Sequence, residues 1–275
     1  TFSRAGYTGA QAFPCHWAGD ENSTWEAFQR SILAGLNAGI SGVAFWGWDF
    51  AGFSGDIPTA ELYLRAAAMA TFSPIMQYHS EYNHHQKPLN DRTPWNIAKR
   101  TNNPSVLKVF KFYANLRMNL LPYILQTARS SSKTGLPMMR SLSIMYPHDQ
   151  KTNKYLYEYM FGDNFLIAPI VEPDKLEIEV YLPEGEWISF WDDKKYSGSE
   201  IYSIPTKLDE IPAFIRENSL IPFNLNEDYR IGGNVGNNTH AFNNLSFVFY
   251  PGPEGKYNWN YDKTGEEIEF YWKQK

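Results

Sequence analysis

Strand and helix patterns alternate through the first hundred residues of this 275-residue chain. Residues 41–48 (SGVAFWGW) form a short apolar, aromatic run, which is typical of a buried parallel strand. A helix pattern precedes this run, with Ser23 as its predicted N-cap and Glu26 three residues later. A second helix is predicted at 58–70 and another strand at 71–79. This order predicts a parallel α/β barrel or a doubly wound sheet.

The pattern changes after a long predicted helix. That helix runs from 103 to 130, with Asn103 as its cap and a bend at Pro122. Short alternating or β-branched segments separated by Pro, Gly and Ser turns then follow. These segments are 165–171, 176–182, 186–191, 219–223, 245–250 and 257–261. The second half therefore predicts an all-β sandwich or two small β modules, with the Asn-rich stretch 224–244 as a loop or boundary.

Charge and cysteine content argue against several classes of protein. The formal net charge is −5, the pI is near 5.7 and the basic residues are scattered, so we expect neither nucleic acid nor a membrane as partner. The single cysteine, Cys15, cannot form an internal disulfide, which favours a cytoplasmic location without deciding the compartment. The chain opens on Thr1 rather than Met, so we expect a piece of a larger protein.

Polar residues follow three successive predicted strands. Asp20, Asp49 and His79 each stand where a strand gives way to a loop, and parallel α/β folds build their sites at that end. Residue type alone favours ordinary roles: a helix-start aspartate, a turn former and a hydrogen-bonded interior histidine. Neighbouring rings favour a site instead, because an acidic, ring-lined pocket suits a neutral sugar better than a phosphate. These rings are Trp17, Trp46, Trp48 and Phe53.

Asp20 has the expected surroundings of a proton donor. Trp17 lies three residues before it, and Gly19 allows the backbone to turn sharply beside it. An apolar wall favours the protonated form of a carboxyl group, which is the form that a general acid needs.

Histidines near residue 80 raise the question of a metal site. The set is His79, Glu81, His84 and His85. Its spacing fits no usual metal site, and solvated loop side chains are the simpler interpretation. Nothing in the sequence cradles a phosphate. We therefore predict no metal and no cofactor.

Several motifs, taken together and in order, resemble glycoside hydrolase family 31. Residues 3–4 (SR) with 16–20 (HWAGD) resemble its arginine strand and acid/base loop, with Asp20 sixteen positions after Arg4. Residues 45–49 (FWGWD) resemble the next strand with its aspartate loop, and 72–79 (FSPIMQYH) the last barrel strand with its sugar-binding histidine. Later landmarks are 121–123 (LPY), 137–140 (PMMR), 162–163 (GD), 168–169 (AP) and 181–183 (YLP).

The resemblance implies a retaining mechanism, in which one carboxyl group protonates the leaving oxygen while a second attacks the anomeric carbon. It makes Asp20 the general acid/base. It places Arg4, Trp17, Asp49, Phe53 and His79 around the sugar. No segment matches the family's nucleophile aspartate. The resemblance therefore implies the C-terminal half of a (β/α)8 TIM barrel at 1–135, a proximal β-sandwich domain at 136–225 and the start of a distal β domain at 226–275.

The sequence predicts that this chain is part of a retaining α-glycosidase, with an α-glucosidase that hydrolyses terminal α-linked glucose as the first choice. The chain alone is expected to be inactive. An α-xylosidase or another family 31 α-glycosidase or transglycosidase stays open, because Gln77 stands where the family usually has an arginine. A non-catalytic carbohydrate-binding or assembly fragment also stays open. Expected partners are an oligosaccharide or α-glucoside substrate, the N-terminal half of the same enzyme and, through an open strand edge, other copies of the chain as a homo-oligomer.

Overall fold

The computed structural model describes residues 2–13, 15–80, 90–260 and 267–273. The helices are α1 (Trp25–Ile40), α2 (Ala60–Thr71), α3 (Pro94–Arg100), α4 (Ser105–Asn119), α5 (Leu121–Thr134) and α6 (Leu142–Met145). The strands are β1 (His16–Trp17), β2 (Trp46–Gly47), β3 (Met139–Ser141), β4 (Tyr159–Phe161), β5 (Phe165–Ile167), β6 (Glu177–Leu182), β7 (Glu186–Ser189), β8 (Lys195–Ser197), β9 (Glu200–Pro205), β10 (Ala213–Arg216), β11 (Ser219–Asn224), β12 (Leu245–Tyr250), β13 (Glu254–Asn260) and β14 (Glu267–Lys273). The predicted combination of an α/β part and a β part is confirmed in this coarse form. The ranges 1–135, 136–225 and 226–275 stay predictions.

Extended segments lie side by side in the first part of the chain, in chain order. β1 and β2 pair in parallel. Parallel bridges from Ser3 to His16 and from Asp49 to Gln77 add one segment on each side. Because all of these segments run in the same direction, their C-terminal ends lie at one edge.

The regular strands are shorter than the sequence predicts. Of 41–48 only Trp46–Gly47 is a strand, and of 71–79 only Gln77 forms a bridge. Pro74 lacks an N–H for a ladder. The carbonyl oxygens of 71, 73 and 74 accept hydrogen bonds from the Arg117 guanidinium instead of from a neighbouring strand.

Helix α1 packs its apolar face on the parallel segments. Phe28, Ile32 and Leu36 are buried along that face. The predicted N-cap at Ser23 is wrong by one residue: Thr24 Oγ1 accepts the Ala27 N–H at 3.1 Å. Ser23 Oγ instead accepts hydrogen bonds from Arg92.

The single long helix predicted at 103–130 is also wrong, because the structure has α4 and α5 meeting at Leu120. Pro122 lies in the first turn of α5, where its missing N–H costs no helix bond, so it begins a new helix rather than bending an old one. Asn103 does not occupy the N-cap position of α4, although its Oδ1 accepts the Ser105 N–H at 3.1 Å.

The β part is built around an antiparallel sheet in the order β3-β4-β5-β10-β7-β8. Alternate residues of β5 face two different cores: Phe165 and Ile167 pack with the helices, whereas Leu166 packs on the other side. That second core includes Val180 and Leu182 of β6, which pairs with β9. The period of two along the strand therefore buries both faces of this sheet.

Two hairpins follow the six-stranded sheet. β11 pairs with β12 and β13 with β14, both antiparallel. Between β11 and β12 the described residues contain no regular element, as predicted for the Asn-rich stretch. Gln126 of α5 donates to the Asn258 carbonyl oxygen at 2.9 Å and accepts from the Tyr257 hydroxyl at 2.6 Å, so the second hairpin is tied to the helical part.

Candidate active site

The polar residues predicted at strand ends converge at the edge where the parallel segments terminate. Asp20 comes three residues after the end of β1, and Asp49 two residues after the end of β2. Gln77 is bridged to Asp49, and His79 follows two residues later. The chain order of the parallel segments therefore sets these side chains next to one another.

Asp49 is a buried carboxylate held by two neutral donors. It is 3 % exposed. Trp17 Nε1 donates to its Oδ2 at 3.2 Å, and Gln77 Nε2 donates to its Oδ1 at 2.7 Å. Burial raises the pKa of Asp49 above its ordinary value of 3.8, while the Gln77 bond, the charge of His79 and the Trp17 bond oppose that rise. The two donors orient the carboxylate without cancelling its charge.

Arg4 joins Asp20 to Trp17. Its Nη1 lies 3.4 Å from Asp20 Oδ2, and its Cζ lies 5.1 Å from the centroid of a Trp17 ring. Gly19 has φ +104°, and a Cβ there would lie 3.2 Å from Arg4 Nε, so glycine both permits the turn and leaves room for the guanidinium. The Asp20 side chain is 37 % exposed and faces this cation. The predicted apolar wall beside Asp20 is therefore replaced by a positive charge.

Phe53 and His79 form the other side of the cluster. Their ring centroids are 5.2 Å apart with an interplanar angle of 34°. The charge of His79 lowers the pKa of Asp49, and the like charge of Asp20 raises it, although burial has the larger effect. Asp20 and His79 therefore both lie close enough to Asp49 for their charges to act on its carboxyl group.

The loops that carry Asp20 and Phe53 are locked together by backbone contacts. The Glu21 carbonyl oxygen accepts the N–H groups of Phe53 and Ser54, at 2.7 and 2.9 Å. Gly52 has φ +95°, and a Cβ there would lie 2.6 Å from Ser23 Oγ. The two loops consequently touch along their backbones, which fixes the position of the Asp20 loop relative to the Phe53 loop.

All the predicted site residues lie at this edge, while their individual roles stay predictions. The partner that the prediction omitted is Gln77, which holds Asp49. A signal for it was present, since residues two apart in an extended segment point to the same face, and Gln77 stands two before His79. The set considered for a metal falls largely outside the described residues, because Glu81, His84 and His85 are not among them. Among the residues that are described, no group of three His, Cys, Asp or Glu side chains could hold a metal ion.

Of the four rings predicted for the pocket, Trp17 and Phe53 lie at this acidic edge, whereas Trp46 and Trp48 are 5 % and 2 % exposed and stack on each other in the core. Two models of one family match the chain. The model of the glycosyl hydrolases family 31 TIM-barrel domain matches residues 1–127, and that of the glycosyl hydrolase family 31 C-terminal domain matches residues 135–221. The chain belongs to glycosyl hydrolase family 31, which confirms the resemblance. Within the described ranges, no helix is both long and apolar enough to cross a membrane.

The chain is similar to named members of this family along nearly its whole length. An isomaltosyltransferase of Sporosarcina globispora is 45 % identical over 96 % of this chain, which covers 24 % of that protein. An α-xylosidase of Saccharolobus solfataricus is 32 % identical over 98 % of the chain, which covers 35 % of it. A cycloalternan-forming enzyme from Listeria monocytogenes, solved in complex with a pentasaccharide substrate, aligns over the whole chain with a TM-score of 0.96 and 44 % identity. The chain spans 26 % of that structure's length, so it matches about a quarter to a third of these relatives.

Proposed function

We propose that this chain is the C-terminal part of a retaining family 31 α-glycosidase that acts on α-linked glucose oligosaccharides and transfers an isomaltosyl unit. The assembled cluster of Arg4, Trp17, Asp20 and Asp49 at the strand edge carries the proposal. The isomaltosyl preference is supported by the relatives named for isomaltosyl transfer and cycloalternan formation, which match 96 % and 100 % of the chain. It replaces the simple α-glucosidase preference expected from sequence.

The arrangement of the parallel segments supports a half barrel. The segments at Ser3, β1, β2 and Gln77 follow one another in space as they do in sequence, as strands five to eight of a (β/α)8 barrel would. Near the outer segment Phe2 is 48 % and Tyr7 is 90 % exposed. An N-terminal half of the same enzyme would cover these apolar side chains and supply the nucleophilic carboxylate. The following β part would form the proximal β-sandwich domain, and the last hairpins the start of a distal β domain.

In this mechanism Asp20 protonates the glycosidic oxygen as the nucleophile attacks the anomeric carbon, and the leaving sugar departs. Arg4, 3.4 Å away, stabilises the Asp20 carboxylate that remains. Asp20 then takes a proton from the hydroxyl of an acceptor sugar as that oxygen attacks the anomeric carbon and releases the nucleophile. Water in place of the acceptor would give hydrolysis. Asp49, held by Trp17 and Gln77, would accept hydrogen bonds from hydroxyl groups of the bound sugar.

Gln77 supports a second candidate function. It is a neutral donor to Asp49 where the family usually has an arginine, so the pocket carries one positive charge fewer than the family pattern. Together with the α-xylosidase relative, this keeps xyloside cleavage as the runner-up. Simple release of terminal glucose and a non-catalytic sugar-binding role rank below it.

One assay separates these functions. The intact enzyme is given an oligosaccharide ending in an isomaltosyl unit together with an acceptor sugar, and an aryl α-glucoside and an aryl α-xyloside in parallel. We expect a new oligosaccharide carrying the isomaltosyl unit. Release of glucose alone would favour an α-glucosidase, preferential cleavage of the xyloside an α-xylosidase, and no turnover of any donor a non-catalytic role.

The half-barrel proposal has a separate test. The chain of residues 1–275, expressed alone, should turn over no aryl α-glucoside, because its nucleophile would be missing. Its exposed strand edge should make it self-associate or bind the N-terminal half. A dilute, compact monomer in sedimentation, or measurable turnover by the chain alone, would argue against a half barrel.

A further inference from the structure

Arg92 is a fully buried arginine that contacts the loop carrying Asp20 and the loop carrying Phe53. It is 0 % exposed. Its Nε and Nη2 lie 3.2 and 3.1 Å from Ser23 Oγ, three residues after Asp20. Nη2 also lies 2.8 to 3.2 Å from three carbonyl oxygens directly after Phe53, those of Ser54, Gly55 and Asp56.

The backbone of Arg92 reaches the third loop of the site. Its N–H donates to Ser80 Oγ at 2.8 Å, one residue after His79. Its carbonyl oxygen accepts the hydroxyl of Tyr63, a buried residue of α2, at 3.1 Å. One residue is thereby fixed to the body of the protein and bonded to each of the three loops that carry Asp20, Phe53 and His79.

The guanidinium of Arg92 is suited to holding two loops at a fixed distance from each other. A buried cation is costly unless hydrogen bonds replace its hydration, and here carbonyl and hydroxyl oxygens do so. The planar guanidinium presents its donors in a fixed fork, so the acceptors on two loops are held at fixed separations. A lysine ammonium would offer its donors from a single point and could not span both loops.

We propose that Arg92 is a positioning residue, which sets the placement of Asp20 relative to the sugar pocket by joining the three loops. The inference rests on the proposed function, because it concerns the acid/base reaction of Asp20. Loss of the guanidinium should displace Asp20 from the leaving oxygen, and a displacement of about 1 Å can lower a rate by about 100-fold.

The test compares two α-glycoside donors that share the same sugar, one with a poor and one with a good leaving group. Proton donation matters most when the leaving group is poor. In the intact enzyme, Arg92→Gln should therefore lower kcat/KM about 100-fold for the poor leaving group and less than about tenfold for the good one. The change in that ratio is a readout that general destabilisation would not produce.

Arg65→Gln is the matched control. Arg65 is also a buried arginine bonded to carbonyl oxygens, those of Lys207 and Glu210, and it pairs with Glu61 at 3.7 Å; it ties α2 to the β part away from the site. This variant should lower the melting temperature and leave the ratio of the two donors unchanged. Equal losses on both donors for Arg92→Gln, or the same ratio in both variants, would overturn the proposal.

Ser23→Ala keeps the proposal falsifiable if Arg92→Gln does not fold. It removes one hydroxyl acceptor on the Asp20 loop and should shift the ratio in the same direction by a few-fold; an unchanged ratio would overturn the proposal. A wild-type enzyme that cleaved neither donor would contradict the proposed function itself, whereas cleavage without transfer would contradict only the isomaltosyl preference and would leave the ratio of the two donors measurable.

Discussion

The parallel part and the antiparallel part of this protein differ in how their strands pair and in where the predicted site residues lie. β1 and β2 contribute two residues each and are extended only by single bridges, whereas β6 and β9 pair over six residues. The predicted site residues all come from the first part, at the ends of its short segments. The six-stranded sheet, in contrast, is buried on both faces. The first part has a buried core of its own, which includes Ile32, Trp48 and Tyr63, so the two parts differ in where the predicted site residues lie and not in whether burial stabilises them.

The largest expected effect is on the catalytic rate, without a change in stability. Asp20→Asn in the intact enzyme should lower kcat for a donor with a poor leaving group by about 10² to 10⁴, because the amide cannot donate an acid proton. Its unfolding free energy should change little, since Asp20 is exposed. Steady-state kinetics and urea denaturation measure the two effects. A large loss of stability with near-normal turnover would show that Asp20 serves the fold and not the reaction.

The next largest effect is on stability and leaves turnover unchanged. Trp187 is fully buried in the core between the antiparallel sheets, and its Nε1 donates to the Pro183 carbonyl oxygen at 2.8 Å. Trp187→Ala should reduce the unfolding free energy by about 3 to 5 kcal/mol, through the cavity and the lost bond. Denaturant unfolding measures it. With Trp187→Phe as the milder control, kcat of the folded fraction should stay at the wild-type value in both variants; a fall would show that the β part shapes the site.

A smaller effect depends on pH. Burial raises the pKa of Glu158 well above its ordinary value of 4.5, although the Tyr181 N–H donates to its Oε1 at 3.1 Å and opposes the rise. The folded state therefore binds the proton more tightly than the unfolded chain, so this contribution is favourable at low pH and is lost as pH rises above the ordinary carboxyl value. Each unit of pKa difference corresponds to about 1.4 kcal/mol.

Glu158→Gln should remove that pH dependence, because glutamine does not titrate and its amide oxygen can still accept the Tyr181 N–H. Compared with the wild type, the variant should gain more unfolding free energy at pH 8 than at pH 5. Urea unfolding at the two pH values, with the exposed Glu172→Gln as control, measures the difference. An unchanged pH dependence would mean that Glu158 is hydrated in solution.

The smallest effect tests the last hairpin. Lys273 and Glu254 form an ion pair of 3.3 Å with side chains 78 % and 66 % exposed. Lys273→Ala should change the unfolding free energy by less than about 1 kcal/mol, because exposed pairs are screened by water and salt. Thermal denaturation at low and high salt measures it. A larger loss would indicate that the ion pair on this hairpin contributes as much to stability as buried contacts in the six-stranded sheet.

The sequence predicted the placement of the candidate residues better than the elements that carry them. Asp20, Asp49 and His79 were placed at one edge because strand ends in parallel folds share an edge, a rule that needs only the order of strands. Their roles stay predictions. The break at Leu120 was missed because a proline fits a helix kink and a helix start equally well. The loss of the predicted strand at 71–79 was missed because the Arg117 guanidinium that binds its carbonyl oxygens lies 43 to 46 positions away. Arg92 carried no sequence signal, since its partners on the three site loops lie 12 to 69 positions away.

The contact between the Glu21 carbonyl oxygen and the amides of Phe53 and Ser54 limits how such a pocket can diverge. An insertion in either loop would break both bonds and separate two backbones that touch at Gly52, so a change of loop length would need a matching change in the other loop. Exchanges of single side chains at this edge, such as Gln77, would in contrast leave that frame in place.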